Sequence, residues 1–517
     1  MKGILLSLAV LIILGTCVRA QQLLRREGFP IRTTVQQGTV EGIYSTATGV
    51  RHYLGLPFAA PPVGDLRWRA PQPAATWEGV REATEFGPRP VQKRLFADMR
   101  FRSGMSEDCL YLNVWTPAEA GEALPVLLYF HGGGNVAGSG DELRYDGEYL
   151  ASQGVVVVTA NYRLGVFGFL AHPELSAETD HGSGNYGLLD QVAALEWVRA
   201  NATAFGGDPD RITIGGESAG SIDCSMLMAS PLSRDLIAGV FAQSGAALYG
   251  GAAPQPLAEV ERMGEAFLQA TGLPDLEALR AAPTSVVYEA QYTGAGYGSP
   301  TTVDGRFLTE PPLETYREGD QAKVPLLIGW TSAETAWIPA PESAEAYEMS
   351  VRGQFGDRAG DVLALYPAED YARSNLALSS DNWIVLGTWK WADLHSRTGD
   401  SPVYRWRFDR IRPPLRGETR SVEPLGAGHA TDIEYFFNTL AKSDAYAWEA
   451  EDRTVAQSMS AAVANFVRSG NPNGEGLPQW QPLVPGKTAM VFRFDVAPAV
   501  APAANDARYL FLESLRQ

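Results

Sequence analysis

The stretch that decides the fold is Ile212-Thr213-Ile214-Gly215-Gly216-Glu217-Ser218-Ala219-Gly220. A short apolar run ends in a glycine pair, a serine follows, and a helical pattern begins after it. Gly216 to Gly220 fits Gly-x-Ser-x-Gly, in which the serine sits on a sharp strand-to-helix turn with strained backbone angles. Side chains two residues to either side would collide there, which explains the two glycines. A helix that starts beside Ser218 points its N-terminus at any oxyanion developing on the bound group. Alone, the pentapeptide also describes a tight turn that merely needs glycine. A nucleophile requires a base, an acid and an oxyanion site from elsewhere in the chain.

His131-Gly132-Gly133-Gly134 directly follows the apolar run Leu124–Phe130. Glycines after a strand let backbone N–H groups turn toward a ligand without obstruction. Gly133 and Gly134, with the N–H of Ala219, are the expected oxyanion donors, each worth on the order of 3 kcal/mol in a transition state. His131 is read as structural. Six histidines are available, and four of them (His52, His131, His172 and His181) precede Ser218. In an α/β hydrolase the order is serine, acid, histidine, which leaves His395 and His429. His395 falls in the amphipathic helical pattern Trp389–Ser396 and is read as a packing or surface residue. His429 lies in the glycine-rich Leu425-Gly426-Ala427-Gly428-His429-Ala430, a loop of the kind that carries catalytic bases. The acid should follow a strand between the two. Glu334, just after Val324–Gly329, is the choice. Asp304 competes but reads first as an Asp-Gly turn, and Asp190 precedes the serine.

Working outward, short buried-type runs alternate with longer helical patterns. The runs Leu124–Phe130, Val155–Asn161, Arg211–Gly215, Val240–Gln243, Val324–Gly329 and Pro402–Phe408 are mostly continuous and apolar, as expected of strands covered on both faces. Between them lie helical patterns at Gly187–Asn201, Leu257–Thr271 and Thr454–Arg468. The alternation predicts a large, mostly parallel central sheet flanked by helices. Thr33–Tyr44 and Arg51–Phe58, with turn signals at Gly38-Thr39 and Thr48-Gly49, predict a small antiparallel region at the start. Ala252–Pro256 and the Ala/Pro-rich tract Ala497–Ala504 read as loops.

The chain has 517 residues and a net charge of −18, which disfavours a nucleic-acid partner. Lys2, the apolar Ile4–Leu14 and the small residues of Val18-Arg19-Ala20 form a secretory signal peptide, residues 1–20, cleaved near Ala20. Residues 21–517 are then one exported domain, periplasmic or extracellular. Leu14-Gly15-Thr16-Cys17 resembles a lipoprotein box only loosely, because Thr16 fits poorly before the cysteine. After cleavage two cysteines remain, Cys109 and Cys224, so one disulfide is possible.

Together these motifs resemble the type-B carboxylesterase/cholinesterase family of α/β hydrolases. The similarity runs from Val35 to Phe511. It includes Tyr53–Ala59, Glu107–Val114, Gly184–Gln191, Phe205–Pro209 and His429–Phe437, beside the glycine tetrad and the serine turn. The resemblance implies that Ser218 is the nucleophile, His429 the general base and acid, and Glu334 the orienting carboxylate. Glu217 matches a glutamate near the imidazole, and Asp432 and Glu434 match acidic positions that support it. Ser332-Ala333-Glu334-Thr335 departs from the usual pattern around the acid. The segment Phe86–Gln92 lacks the cysteine that relatives pair with the one in Glu-Asp-Cys-Leu, and the tryptophan of cholinesterases is absent. That loop must be held differently, and a cholinesterase is disfavoured. Asn135 stands where an aromatic is common, which predicts a more polar pocket mouth. Trp330, Trp337 and Trp383 are pocket candidates, although aromatic residues more often belong to a core.

The expected activity is hydrolysis of carboxylic esters through an acyl-enzyme on Ser218, with water and a small-molecule ester as partners. The reaction calls for no metal or organic cofactor, and no metal-ligand spacing is present. A lipase or a bulky natural-product esterase has the same triad. A binding protein that kept the fold and lost catalysis is the reading from another class; such proteins typically lack a triad member.

Overall fold

The β-branched and aromatic runs of the sequence assemble into a single 13-stranded sheet, described by a computed structural model over residues 28–293, 296–420 and 423–516. The segment read as a signal peptide, Cys17 included, lies outside the described residues. Strands β1 (Gly28–Val35), β2 (Gly38–Ser45), β3 (Arg51–Pro57) and β5 (Tyr111–Thr116) are antiparallel neighbours, with the short β4 (Val80–Glu82) beside β2. The parallel part follows: β7 (Val156–Ala160), β6 (Leu124–Phe130), β8 (Gly207–Glu217), β9 (Gly239–Gln243), β12 (Leu326–Thr331), β13 (Val403–Phe408) and β14 (Met490–Phe494), in that spatial order. The far edge is β15 (Ala499–Pro502), antiparallel to β14. Two short strands, β10 (Gln255–Pro256) and β11 (Thr302–Val303), form a separate parallel pair.

The expected parallel sheet and antiparallel start are thus present. Both tracts read as loops contain strand: Gln255–Pro256 of the first is β10, and Ala499–Pro502 of the second is the edge strand β15. Pro502 is tolerated in β15 because an edge strand has a free side on which no N–H is needed. The strands β5 and β14 carry no alternation that stands out from their surroundings, and the pattern missed both.

Strand β6 shows why the sheet is buried on both faces. Val126, Leu128 and Phe130 pack into one core with Leu188 and Leu195 of the helix Tyr186–Asn201. Leu127 and Tyr129, pointing the other way, join a second core with Phe436 and with Met459 and Val463 of the helix Ala450–Ser469. Two-residue periodicity thus feeds two helix layers from one continuous apolar run. Burying such side chains contributes about 1.5–3 kcal/mol each. The carboxyl ends of β6, β8, β9 and β12 consequently lie along one edge, where open α/β sheets place their ligands.

Candidate active site

Strand β8 delivers Ser218 to that edge. The serine has φ +54° and ψ −120°, a conformation that L-residues avoid and that surrounding structure must enforce. The enforcement is visible. The Ser218 N–H donates to the Gln243 carbonyl at 2.8 Å, and the helix Ala219–Ala229 starts at once. A Cβ on Gly216 would sit 2.3 Å from the Gly220 carbonyl carbon. One on Gly220 would sit 2.1 Å from the Phe130 carbonyl oxygen. The two glycines of the pentapeptide are therefore steric requirements.

The glycine tetrad leaves β6 beside this turn. Gly133 and Gly134 have φ +110° and +64°. A Cβ on Gly132 would lie 3.1 Å from the Ser218 Cβ, so the tetrad runs directly past the serine. His131 is buried, stacked on Tyr162 at 4.5 Å, and burial pushes its pKa down to about 4. It is a neutral packing residue.

Glu334 and His429 meet although 95 residues separate them: His429 Nδ1 lies 2.6 Å from Glu334 Oε2. The loops that carry them are laced by an Ala333–Gly428 bridge, in which the Ala333 N–H donates to the Ala427 carbonyl at 2.8 Å. The Ala427 N–H in turn donates to Ser332 Oγ at 2.9 Å. The second Glu334 oxygen accepts from Ser244 Oγ at 2.6 Å and from the Thr331 N–H at 2.7 Å. Ser244, at φ +53°, follows β9 as Ser218 follows β8. Its role was not apparent from sequence; its place directly after a parallel strand is the signal that was available.

The other imidazole nitrogen, Nε2, lies 3.2 Å from Glu217 Oε1. Burial by itself would push the His429 pKa down. The Glu217 and Glu334 carboxylates outweigh it and hold the value up at about 9. Burial raises Glu217 to about 8 against the opposing pull of His429. Asp432 is buried, accepts from Gln243 Nε2 at 2.9 Å, and adds to the field on the imidazole. Glu434 is not brought there: its carboxylate faces Arg412 at 3.4 Å.

The other candidates separate by environment. His395 is fully buried, its Nε2 on the Val324 carbonyl at 2.8 Å. Asp304 accepts the N–H groups of Arg306 and Leu308 across its turn. Asp190 forms a buried pair with Arg163 at 2.7 Å. Cys109 and Cys224 are buried free thiols. Asn135 is also buried, so it does not make the pocket mouth more polar as expected; its amide bonds inward to Asp223 at 2.9 Å. The loop without its cysteine is held by Gln92, whose amide both donates to and accepts from the Gly138 backbone at 2.7 Å.

Of the three tryptophans, Trp330 is core, packed on Tyr509. Trp337 and Trp383 are 57% and 44% exposed and stand edge to face, with centroids 4.8 Å apart. The Trp383 ring is 4.8 Å from the His429 ring. A cleft of about 320 Å³ is lined by Ala336, Gly428 and Thr431, flanking these loops, together with Arg412, Arg420 and Tyr446.

Known proteins share this architecture. The family model described as "Carboxylesterase family" matches residues 30–358 and 364–511. The fumonisin B1 esterase of Sphingopyxis macrogoltabida is 36% identical over 477 residues, 86% of this chain and 83% of that one. The para-nitrobenzyl esterase of Bacillus subtilis (strain 168) is 34% identical over 465 residues, 86% of this chain and 91% of its own. A solved para-nitrobenzyl esterase superposes with a TM-score of 0.79 at 31% identity, covering 93% of this chain and 98% of that one. With the serine turn, the glycine tetrad and the late histidine all lying inside the matched residues, the chain belongs to the carboxylesterase family.

Proposed function

We propose that the protein is an exported serine carboxylesterase, its mature residues 21–517 forming one hydrolase unit. The observation that carries the reading is the 2.6 Å contact of His429 Nδ1 with Glu334, while Nε2 of the same ring lies 3.2 Å from Glu217, the residue before a serine held at φ +54°. Glu334 keeps the Nδ1 proton and so leaves Nε2 free to act as base. As Ser218 Oγ attacks the ester carbonyl, Nε2 takes its proton. The Gly133, Gly134 and Ala219 N–H groups receive the oxyanion. His429 then protonates the leaving alkoxide, and water repeats the sequence on the acyl-enzyme.

The substrate class is bulky organic esters. Relatives carry the names fumonisin B1 esterase, cocaine esterase and para-nitrobenzyl esterase, and two exposed tryptophans border the imidazole. Among the described residues no helix is long and apolar enough to cross a membrane. Export by cleavage near Ala20 is tested by the mass of the secreted protein; a lipid-bearing Cys17 terminus refutes it.

The deciding assay uses p-nitrophenyl esters of increasing acyl length. Ser218→Ala is expected to abolish turnover, and wild type no faster than that variant sinks the proposal. The chain-length profile separates esterase from lipase. Glu334→Gln is expected to lower kcat by about 10³–10⁴, the cost of losing the carboxylate that fixes the histidine tautomer. Asp304→Asn is expected to leave kcat unchanged.

A further inference from the structure

Asn135 leaves the glycine tetrad at φ +55°, a left-handed conformation that asparagine tolerates better than most side chains. Every polar group of its side chain is engaged in the interior. Nδ2 donates to Asp223 Oδ1 at 2.9 Å, and Oδ1 lies 2.9 Å from the Tyr162 hydroxyl, which also reaches the His131 carbonyl at 2.7 Å. The Asn135 carbonyl accepts from the Gly165 N–H at 2.7 Å. Asp223 belongs to the helix Ala219–Ala229 that starts at the nucleophile, and it is fully buried. Its other oxygen accepts from Gln191 Nε2 at 2.6 Å. A buried carboxylate is costly, and a packed apolar pair here would be cheaper. The bridge therefore calls for a role beyond stability.

We propose that Asn135 and Asp223 are positioning residues, a buried bridge that locks the glycine loop to the nucleophile helix and so fixes the Gly133 and Gly134 N–H groups against that of Ala219. The inference rests on the serine-esterase reading. A displaced donor loses transition-state stabilisation while ground-state binding is retained. The bridge needs complementary hydrogen-bond polarity more than charge: burial lifts the Asp223 carboxyl to about 7.

The test is an exchange of the two side chains. Asn135→Asp sets two carboxyl groups face to face. Its kcat is expected to fall at least about tenfold, toward the about 10²–10³ cost of losing one oxyanion donor, with little change in KM. Asp223→Asn is expected to stay close to wild type, because Gln191 can turn its amide and offer Oε1, which has no partner among the described residues. In the double variant N135D/D223N every bond has a donor and an acceptor again: Asn at 223 donates to Asp at 135 and accepts from Gln191. It is expected to recover kcat to within about fivefold, as a coupled pair should. Affinity for an aryl trifluoromethyl ketone, which forms a tetrahedral adduct on the serine, should follow kcat through the series.

Asn135→Asp at wild-type kcat overturns the proposal. So does a double variant that melts like wild type and remains as slow as the single. If Asn135→Asp does not fold, Asn135→Ala replaces it, and unchanged kcat there has the same meaning. Wild type inactive alongside Ser218→Ala defeats the esterase reading itself, an outcome distinct from all of these.

Discussion

Ala333 and Gly428 lie side by side in an isolated parallel bridge, each one residue before a partner of the Glu334–His429 pair. The two loops leave the sheet at different strands, so backbone pairing sets the distance between the side chains. Ser332 closes the same ladder by accepting the Ala427 N–H. Ser332→Ala leaves that buried N–H unpaired, at a cost of about 1–3 kcal/mol. The expected outcome is a lower thermal midpoint and a kcat reduced several-fold with KM nearly unchanged. Unchanged kcat would mean that Glu334 is positioned by Ser244 and Thr331 alone.

Glu217 carries a pH prediction. In the proposed mechanism His429 must be neutral to accept the serine proton, and the carboxylates beside it hold its pKa at about 9. The acid limb of kcat/KM therefore lies above the usual histidine range. Glu217→Gln removes one of those carboxylates, lowers the histidine pKa, and should move the limb to lower pH by about one unit, near 1.4 kcal/mol of lost interaction. The plateau falls as well, because the imidazolium formed during attack loses support. A limb that stays in place or moves upward contradicts the assignment of Glu217 as the partner of Nε2.

Much of this site could be read from the sequence because its chemistry is local. Gly216, Gly220, Gly132 and Gly133 are required by contacts within a few residues or across adjacent strands, and Gly134 by its φ of +64°; such needs leave glycine as their mark. Chain order then selected His429 and Glu334. The orienting partners Ser244 and Gln243 left no such mark, since Glu334 and Asp432, which accept from them, lie 90 and 189 residues away, and Thr331 acts through a backbone N–H that any residue but proline supplies. Asn135 was misread for the same reason. Whether it faces a pocket or the interior is decided by Asp223, 88 residues away. The edge strand β15 went unseen because Ala and Pro report nothing about pairing, and its partner β14 supplies the register.

The glycines separate steric need from conformational need. Gly220→Ala drives a Cβ to 2.1 Å from the Phe130 carbonyl, against backbone that cannot move aside. It should cost about 3 kcal/mol or more and abolish activity. Gly134 faces open space, with the nearest atom 3.8 Å away, but stands at φ +64°. Gly134→Ala should therefore fold with a loss of only about 1–2 kcal/mol of backbone strain, while kcat falls through a displaced N–H. Thermal melting beside steady-state kinetics distinguishes the two, and equal melting losses would refute the contrast.

Trp337 and Trp383 give the last prediction. Trp383 belongs to a π-helical turn, Asp381–Val385, and such turns recur where a helix must present a side chain to a functional site. Two large rings left about half exposed beside the imidazole are an apolar surface in want of a ligand. If they hold the leaving group, Trp383→Ala should raise KM for p-nitrobenzyl acetate by about two- to tenfold, the usual worth of one aromatic contact, while ethyl acetate turnover barely changes. Equal losses on both esters would instead assign Trp383 to packing the His429 ring, which it meets at 4.8 Å. Trp330→Phe supplies the control. Its ring is buried against Tyr509, away from the imidazole contacts, so it should alter the melting point and leave the ratio of the two KM values untouched.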